Sequence, residues 1–293
     1  MRRLVAVAGA GDAGRRVKYF VRGGMGLSSR RFGALKMSGG LKVNGEIVHA
    51  NYMLREGDAV EVLIDDAPVN TVAPDPTPVD VVYEDDDLLI IDKPAPLACQ
   101  CSPKQSAMTL ENRLAARCPG LPFRPINRLD KGTSGLMATA KHAHAAKLLQ
   151  RQLHTDDFVR EYLAVVEGAM TGAGVIDAPI AKAPAATVRR VVDFESGARA
   201  VTRYRVIRTG KRYTLVRLRL ETGRTHQIRV HLQSLGHPVV GDFLYGAEDA
   251  RLPGRFALHS TYIRLVHPIA GGVIERASPL PAELAALMKD EMT

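Results

Sequence analysis

Residues 123–141 read FRPINRLDKGTSGLMATAK, a basic segment with a single acid, Asp130, set among Arg124, Arg128 and Lys131. Gly132, Thr133, Ser134 and Gly135 follow the acid, and then the apolar run 136–140. Small hydroxyl residues and glycines between an acid and such a run predict a tight loop holding the carboxylate at a strand edge. An aspartate in a loop is usually a surface salt-bridge partner. Here the meaning of Asp130 depends on the company it keeps along the rest of the chain.

The chain has 293 residues, enough for one large or two ordinary domains with a sizeable core. An apolar fraction of 46% with 24% charged residues excludes a disordered or fibrous chain. No apolar run approaches the ~20 residues that span a bilayer. The start, MRRLVAVAGAG, mimics a signal peptide, but its apolar core at 4–10 is at the short limit, so a non-secreted, cytoplasmic protein is expected. Three cysteines fit a reducing compartment better than a disulfide framework. Cys99 and Cys101 are too close together for a zinc knuckle, and no second pair exists. A net charge of +9 points to a polyanionic partner, although charge alone does not separate RNA, DNA and membrane. With 5% aromatics and no Trp, base stacking must come from a few Tyr, Phe or Arg residues.

Gly9-Ala10-Gly11-Asp12-Ala13-Gly14 matches G-x-G-x-x-G after a possible strand at 4–8. A dinucleotide site also needs an acid about 20 residues on, and none occurs between Asp12 and Glu46. Residues 1–12 therefore read as an N-terminal tail. Residues 15–22 read as a short helix ended by Gly23-Gly24, and 29–37 as a second, capped by Ser28 and stopped by Gly39-Gly40. Asn44-Gly45 marks a hairpin, and Gly57-Asp58 a turn before a strand at 59–64. Arg30, Arg31, Lys36 and Lys42 make this module, 13–71, basic. Residues 72–78, with three prolines, read as a linker, and 79–293 as a second domain.

That domain opens with strands at 81–83 and 88–91 around the acidic stretch 84–87, which reads as a solvated turn in preference to a metal site. Thr109 caps a helix to 117, and 141–154 is helical with His142, His144 and His154 on its surface. A strand at 158–166 contains Tyr162, and the charged stretch 188–199 reads as a loop or hairpin insertion. A hairpin turns at 209–211; its second strand places Val216, Leu218 and Leu220 on one face and Arg217 and Arg219 on a solvated one. In TGRTHQIRVHL, residues 222–232, Thr225 caps a helix to about 235, with Arg229 one turn on. His226 and His231, five apart, are poorly spaced for zinc, and no metal is expected. A last helix follows Pro281.

The string RLDKGTSGL resembles the signature loop of RluA-type pseudouridine synthases, in which the Asp is catalytic. VVYEDDDLLIIDKP resembles the entry to that catalytic domain, TGRTHQIRVHLQSLGHPVVGDFLYG its second hallmark, and LHSTYIRLVHP its closing strand. The likeness runs from about 79 to 268 and lapses in the loop 96–102, where Pro96 and Gln100 stand where the family usually has Gly and often His. SSRRFGALKMSGGLKVNG with LREGDAVEV resembles the small RNA-binding domain of ribosomal protein S-four. The resemblance implies an α+β catalytic domain with a central, mainly antiparallel mixed sheet flanked by helices and loops. A small N-terminal α/β RNA-binding module would precede it.

The implied activity is isomerisation of uridine in RNA to pseudouridine, without cofactor. By resemblance Asp130 acts at the sugar, as nucleophile at C1′ or base at C2′. Arg229 pairs with it and orients it. Tyr162 stacks on the base and assists proton removal at C5, and Arg128 fills the gap left by the flipped nucleotide. Arg224 and His226 join Arg30, Arg31, Lys36 and Lys42 as RNA-binding residues. The implied partner is 23S-type ribosomal RNA or a ribosome precursor, with tRNA as the other possibility, bound by a monomer away from membranes. The rival reading is a catalytically silent RNA-binding or ribosome-assembly factor on the same fold.

Overall fold

The computed structural model describes residues 2–29, 32–33, 35, 39–64, 72–103, 105–184 and 188–289. Its N-terminal unit is built on β1 (Arg2–Val7), α1 (Val17–Gly23), β2 (Leu41–Val43), β3 (Glu46–Ile47) and β4 (Ala59–Ile64). The four strands form an antiparallel sheet in the order β1-β4-β2-β3. The tail reading of 1–12 is thereby corrected, since β1 pairs with β4 from Arg2↔Ile64 to Val7↔Ala59. The strand signal at 4–8 is present in the sequence, but an edge strand that buries only Leu4 gives no sign of the sheet it joins. Its antiparallel neighbour also removes the dinucleotide reading, which needs a parallel one.

Val17, Phe20 and Val21 of α1 pack with Leu41, Val43, Val60 and Val62 into the core of this unit. Asn44 and Gly45 turn the hairpin at φ 52° and 86°, as a two-residue turn with left-handed positions requires. The Asn44 carboxamide locks the turn to β4, accepting the Ala59 N–H at 2.8 Å and donating to Asp58 at 2.9 Å. Of the expected second helix, Ser29, Phe32, Gly33 and Leu35 are helical; Arg30, Arg31 and Lys36 lie outside the described residues.

The rest of the chain comprises β5 (Asp80–Glu84), β6 (Leu88–Lys93), α2 (Leu110–Arg117), β7 (Ser134–Ala140), α3 (Ala143–Gln152), β8 (Val159–Glu167) and β9 (Ala173–Asp177). It continues with β10 (Ile180–Lys182), β11 (Arg190–Val192), β12 (Val201–Thr209), β13 (Tyr213–Leu220), α4 (Gln227–Ser234), β14 (Leu258–Val266), β15 (Val273–Ala277) and α5 (Ala282–Lys289). A nine-stranded sheet runs β5-β6-β7-β14-β8-β13-β12-β9, with β15 beside β14, and β10 and β11 form the inserted hairpin. Among these ladders only β7 with β14 is parallel, which gives the mixed, mainly antiparallel sheet of an α+β fold. No helix among the described residues is long and apolar enough to cross a membrane.

The uninterrupted apolar run Leu88-Leu89-Ile90-Ile91 follows from burial of β6 on both faces. Leu88 and Ile90 pack with Leu136, Ala145 and Leu149, while Leu89 and Ile91 join Met137, Leu284 and Leu287. On β13, Val216 and Leu218 are buried, whereas Arg217 and Arg219 face outward toward Glu161 and Asp156.

Three local readings fail. The acidic stretch is solvated only in part: Glu84 and Asp86 are exposed, but Asp87 is buried and accepts Arg2 Nε and Nη2, both at 3.0 Å, tying β1 to the turn before β6. His142 and His144 are buried, not on the surface. His142 caps α3 by accepting the Ala145 N–H at 3.1 Å, and its Nε2 meets Asp87 at 2.8 Å. Finally, α4 starts at Gln227 with His226, at φ 58°, as its N-cap, so Thr225 does not cap it.

Candidate active site

Main-chain bonds hold the Asp130 loop on several sides. Thr133 N–H donates to the Asp130 carbonyl at 3.1 Å, Leu97 N–H to Lys131 at 2.9 Å, and Phe256 N–H to Gly132 at 3.2 Å. The Cys99 thiol donates to the Leu129 carbonyl at 3.1 Å, so the atypical loop 96–102 supports the Asp130 loop from behind. Two glycines of the motif are required by close approach. A Cβ at Gly132 would stand 2.7 Å from the Phe256 ring. At Gly135, with φ +106°, it would stand 2.2 Å from the Ser260 carbonyl oxygen of β14.

α4 brings Arg229 to this loop. Its Nη1 donates to Asp130 Oδ2 at 2.8 Å, while Nε and Nη2 grip Asp242 at 2.6 and 2.7 Å. The guanidinium lies 4.1 Å from the Phe256 ring centroid and 4.9 Å from that of Tyr245. Burial works to lower the Arg229 pKa, but Asp242 and Asp130 outweigh it and hold the group above the ordinary guanidinium value. A planar fork can serve two carboxylates at once, which an ammonium on a flexible stem cannot. Sequence reasoning missed Asp242. It stands within the second hallmark, and its only local mark is an acid beside Gly241.

Tyr162, on β8, lies opposite Leu218 of β13 and Ser260 of β14. With Asp130, Arg128, Arg224, His226 and Arg229 it lines a hollow of about 60 Å³. A wider cleft of about 450 Å³ shares Asp130, Tyr162, Arg128, Arg224 and His226 with that hollow. Burial pushes the Tyr162 phenol up, against a smaller opposing pull from Arg160, so the group is a neutral phenol at physiological pH. It can offer an aromatic face and a hydroxyl, but not a standing phenolate base.

His226 Nδ1 meets the Tyr245 hydroxyl at 2.9 Å, and Nε2 stands 3.9 Å from Asp130 Oδ1. Burial lowers its pKa, against the pull of Asp130, so this is a contact of a neutral imidazole with a carboxylate and no ion pair at pH 7. Arg224 lies exposed on the rim, its Nε donating to the Arg199 carbonyl at 2.9 Å; Arg128 is exposed as well. Lys42 sits on β2 of the N-terminal sheet, away from the cleft. Gln227, another residue without a sequence-level role, clamps the turn before α4. Its Oε1 accepts Thr222 Oγ1 and the Arg224 N–H, and its Nε2 donates to the Val201 carbonyl and Thr202 Oγ1.

His231 is a satisfied core residue, bonded to Thr202 and the Ala178 carbonyl, both at 2.9 Å. Among the described residues, one trio brings potential metal-ligand atoms within 4.8 Å: Asp85, Asp87 and His267. Its atoms are engaged by Tyr83, Arg2 and His142 and by one another.

A family profile described as RNA pseudouridylate synthase matches residues 87–234, which include Asp130, Tyr162 and Arg229. The uncharacterized RNA pseudouridine synthase YjbO of Bacillus subtilis is 37% identical, over 92% of this chain and 97% of its own. The chain belongs to the RNA pseudouridylate synthase family. The ribosomal large subunit pseudouridine synthase D of Xanthomonas campestris is 40% identical, over 86% of this chain and 81% of that one. Among solved structures, human RNA Pseudouridylate Synthase Domain Containing 1 superposes with a TM-score of 0.57 at 26% identity, covering 74% of this chain and 95% of the human one. In this enzyme of the RNA pseudouridylate synthase family, Asp130 of the acid loop, Tyr162 of the sheet and His226 at the start of α4 line one cleft.

Proposed function

We propose that the protein isomerises uridine to pseudouridine in large-subunit ribosomal RNA, with Asp130 as the catalytic acid residue. One observation carries the assignment: the Asp130 carboxylate, the only acid lining the cleft among the described residues, is held at 2.8 Å by a buried arginine. The reaction breaks the bond from C1′ to N1, turns the uracil, joins C5 to C1′, and moves the C5 proton away as N1 gains one. An ionised carboxylate serves either at C1′ as nucleophile or at C2′ as base. Arg229, anchored by Asp242, supports the role by fixing one Oδ and leaving the other toward the cleft. Tyr162 would stack on the base, and as a neutral phenol it would relay the C5 proton by hydrogen bonding instead of taking it outright.

Arg128, exposed on the same loop, suits insertion into the space left by the uridine. Flipping costs a few kcal/mol for a paired base, and contacts of Arg224 and other cations with phosphates would offset it. The N-terminal unit, extended to include β1 and ending near 71, would bind RNA in the manner of the domain in ribosomal protein S-four. It would do so through Arg30, Arg31, Lys36 and Lys42, ahead of a catalytic domain from 79 to the end. On this reading the enzyme works as a monomer in the cytoplasm. The names of relatives such as synthase D favour ribosomal RNA over tRNA.

The deciding experiment is tritium release from RNA labelled at uridine C5, on ribosomal and transfer RNA pools, for wild type and Asp130→Asn. Release from ribosomal RNA that disappears in the variant is expected. Binding without release by the wild type would favour the silent assembly factor, and full release by Asp130→Asn would remove Asp130 from the chemistry.

A further inference from the structure

Arg160 precedes Tyr162 by two residues on β8 and so shares its face of the strand. It is 5% exposed, yet its Nε and Nη2 have no hydrogen-bond partner. A guanidinium keeps its proton, so burying it without an acceptor is strongly unfavourable in the free protein. Arg229, just as buried, shows the usual remedy, with two carboxylates around it. Among the described residues Arg160 has no such carboxylate, only the Phe158 ring, whose centroid lies 5.8 Å from its guanidinium carbon.

Its surroundings indicate what is missing. Arg160 lines the 450 Å³ cleft together with Arg128, Asp130 and Arg224. Asn127 lines the same cleft, is 6% exposed, and has its Oδ1 engaged by the Ala138 N–H at 2.9 Å while Nδ2 has no partner. Two residues with buried donor groups that lack acceptors therefore line one cleft, and the one carboxylate among its described lining residues, that of Asp130, is already bonded to Arg229. Across from Arg160 stands Gly223, where a Cβ would lie 3.0 Å from Nη1, so no side chain shields the guanidinium there. Nε and Nη2 form the lateral edge of the fork, which matches two oxygens of a phosphate; both are covered in the free protein, so the guanidinium turns past Gly223 to present them.

We propose that Arg160, with Asn127, forms a binding subsite for the phosphate attached to the target uridine. The proposal rests on the uridine-isomerisation reading and specifies which part of the RNA the cleft grips. Once the glycosidic bond is broken, the uracil turns while the ribose must stay fixed beside Asp130. A phosphate anchor holds the sugar without touching the base. The cost of leaving Arg160 unpartnered in the free enzyme is recovered when the nucleotide enters.

The test is NMR titration of the full-length protein with uridine, uridine 5′-monophosphate and uridine 3′-monophosphate, using wild type, Arg160→Gln and Arg160→Lys. In the wild type, one monophosphate is expected to bind at least about tenfold more tightly than uridine, the gain of one charge-assisted contact. That advantage should shrink to about twofold or less in Arg160→Gln and to an intermediate value in Arg160→Lys, which keeps the charge and loses the fork. Equal binding of all three ligands by the wild type would overturn the proposal. So would a full advantage in either variant, and should Arg160→Gln fail to fold, the lysine variant decides. None of these readings depends on turnover, so tritium release by the wild type tests the synthase reading separately.

Discussion

Asp242 contacts Arg229 and Asp130 does too, but the two carboxylates do different work. Asp242 is fully buried and takes two of the three bonds, so it sets where the guanidinium can stand. Asp242→Asn should therefore lower single-turnover rates with little change in KM, and should cost about 3–5 kcal/mol of stability as a broken buried pair. Rapid-quench kinetics and thermal melting check the two halves of that statement. Histidines give a second expectation at this scale. Burial lowers the pKa of His226, His231 and His259 below the ordinary 6.5. The unfolded chain then binds more protons than the folded one just below pH 6.5, so stability is complete above that pH and falls as acid is added. Melting temperature should hold from pH 8 to 7 and decline below about 6.5. His231→Gln, which removes one titrating group, should decline less steeply.

At the scale of elements, what could be read from sequence had its cause close by. Thr109 caps α2 by accepting the Asn112 N–H three residues on, Asn44-Gly45 turns its own hairpin, and β6 announces two-sided burial by its composition. What could not be read depended on distant partners. The strand at 4–8 is legible but its pairing is not, since β1 buries one side chain and finds β4 some fifty residues on, beyond α1 and the β2-β3 hairpin. His142 and His144 are buried by tertiary packing that helical periodicity does not register, and Arg2 reaches Asp87 across 85 positions. The site follows the same division. Asp130, Tyr162 and Arg229 were singled out by resemblance to a family, whereas Asp242 and Arg160 emerge only from what surrounds them in space. Gly135 shows how strict such spatial demands are. Gly135→Ala would place a methyl against the Ser260 carbonyl in a left-handed backbone, and should cost more than about 3 kcal/mol. Chemical denaturation of the variant reads that loss directly.

At the scale of the whole molecule, the N-terminal unit and the catalytic domain meet through Arg2 with Asp86 and Asp87, and through Lys147 with the Gly26 carbonyl. Because β1 belongs to the first unit, a clean truncation removes residues 1–71 together. That truncation should raise KM for RNA by about tenfold or more, as phosphate contacts are lost, with single-turnover chemistry at saturating RNA nearly unchanged. An unchanged KM would remove the N-terminal unit from substrate binding. The position of β14 bears on how the enzyme comes into being. It is the central strand, between β7 and β8, yet it is made after both of them and after Asp130, Tyr162, Arg229 and Asp242. While the ribosome is still short of residue 258, the emerging polypeptide already contains all four of those side chains and a sheet with its middle missing. A chain halted before residue 258 is therefore expected to release no tritium from RNA although it carries all four side chains, and an active fragment of that length would show that the site forms without its middle strand.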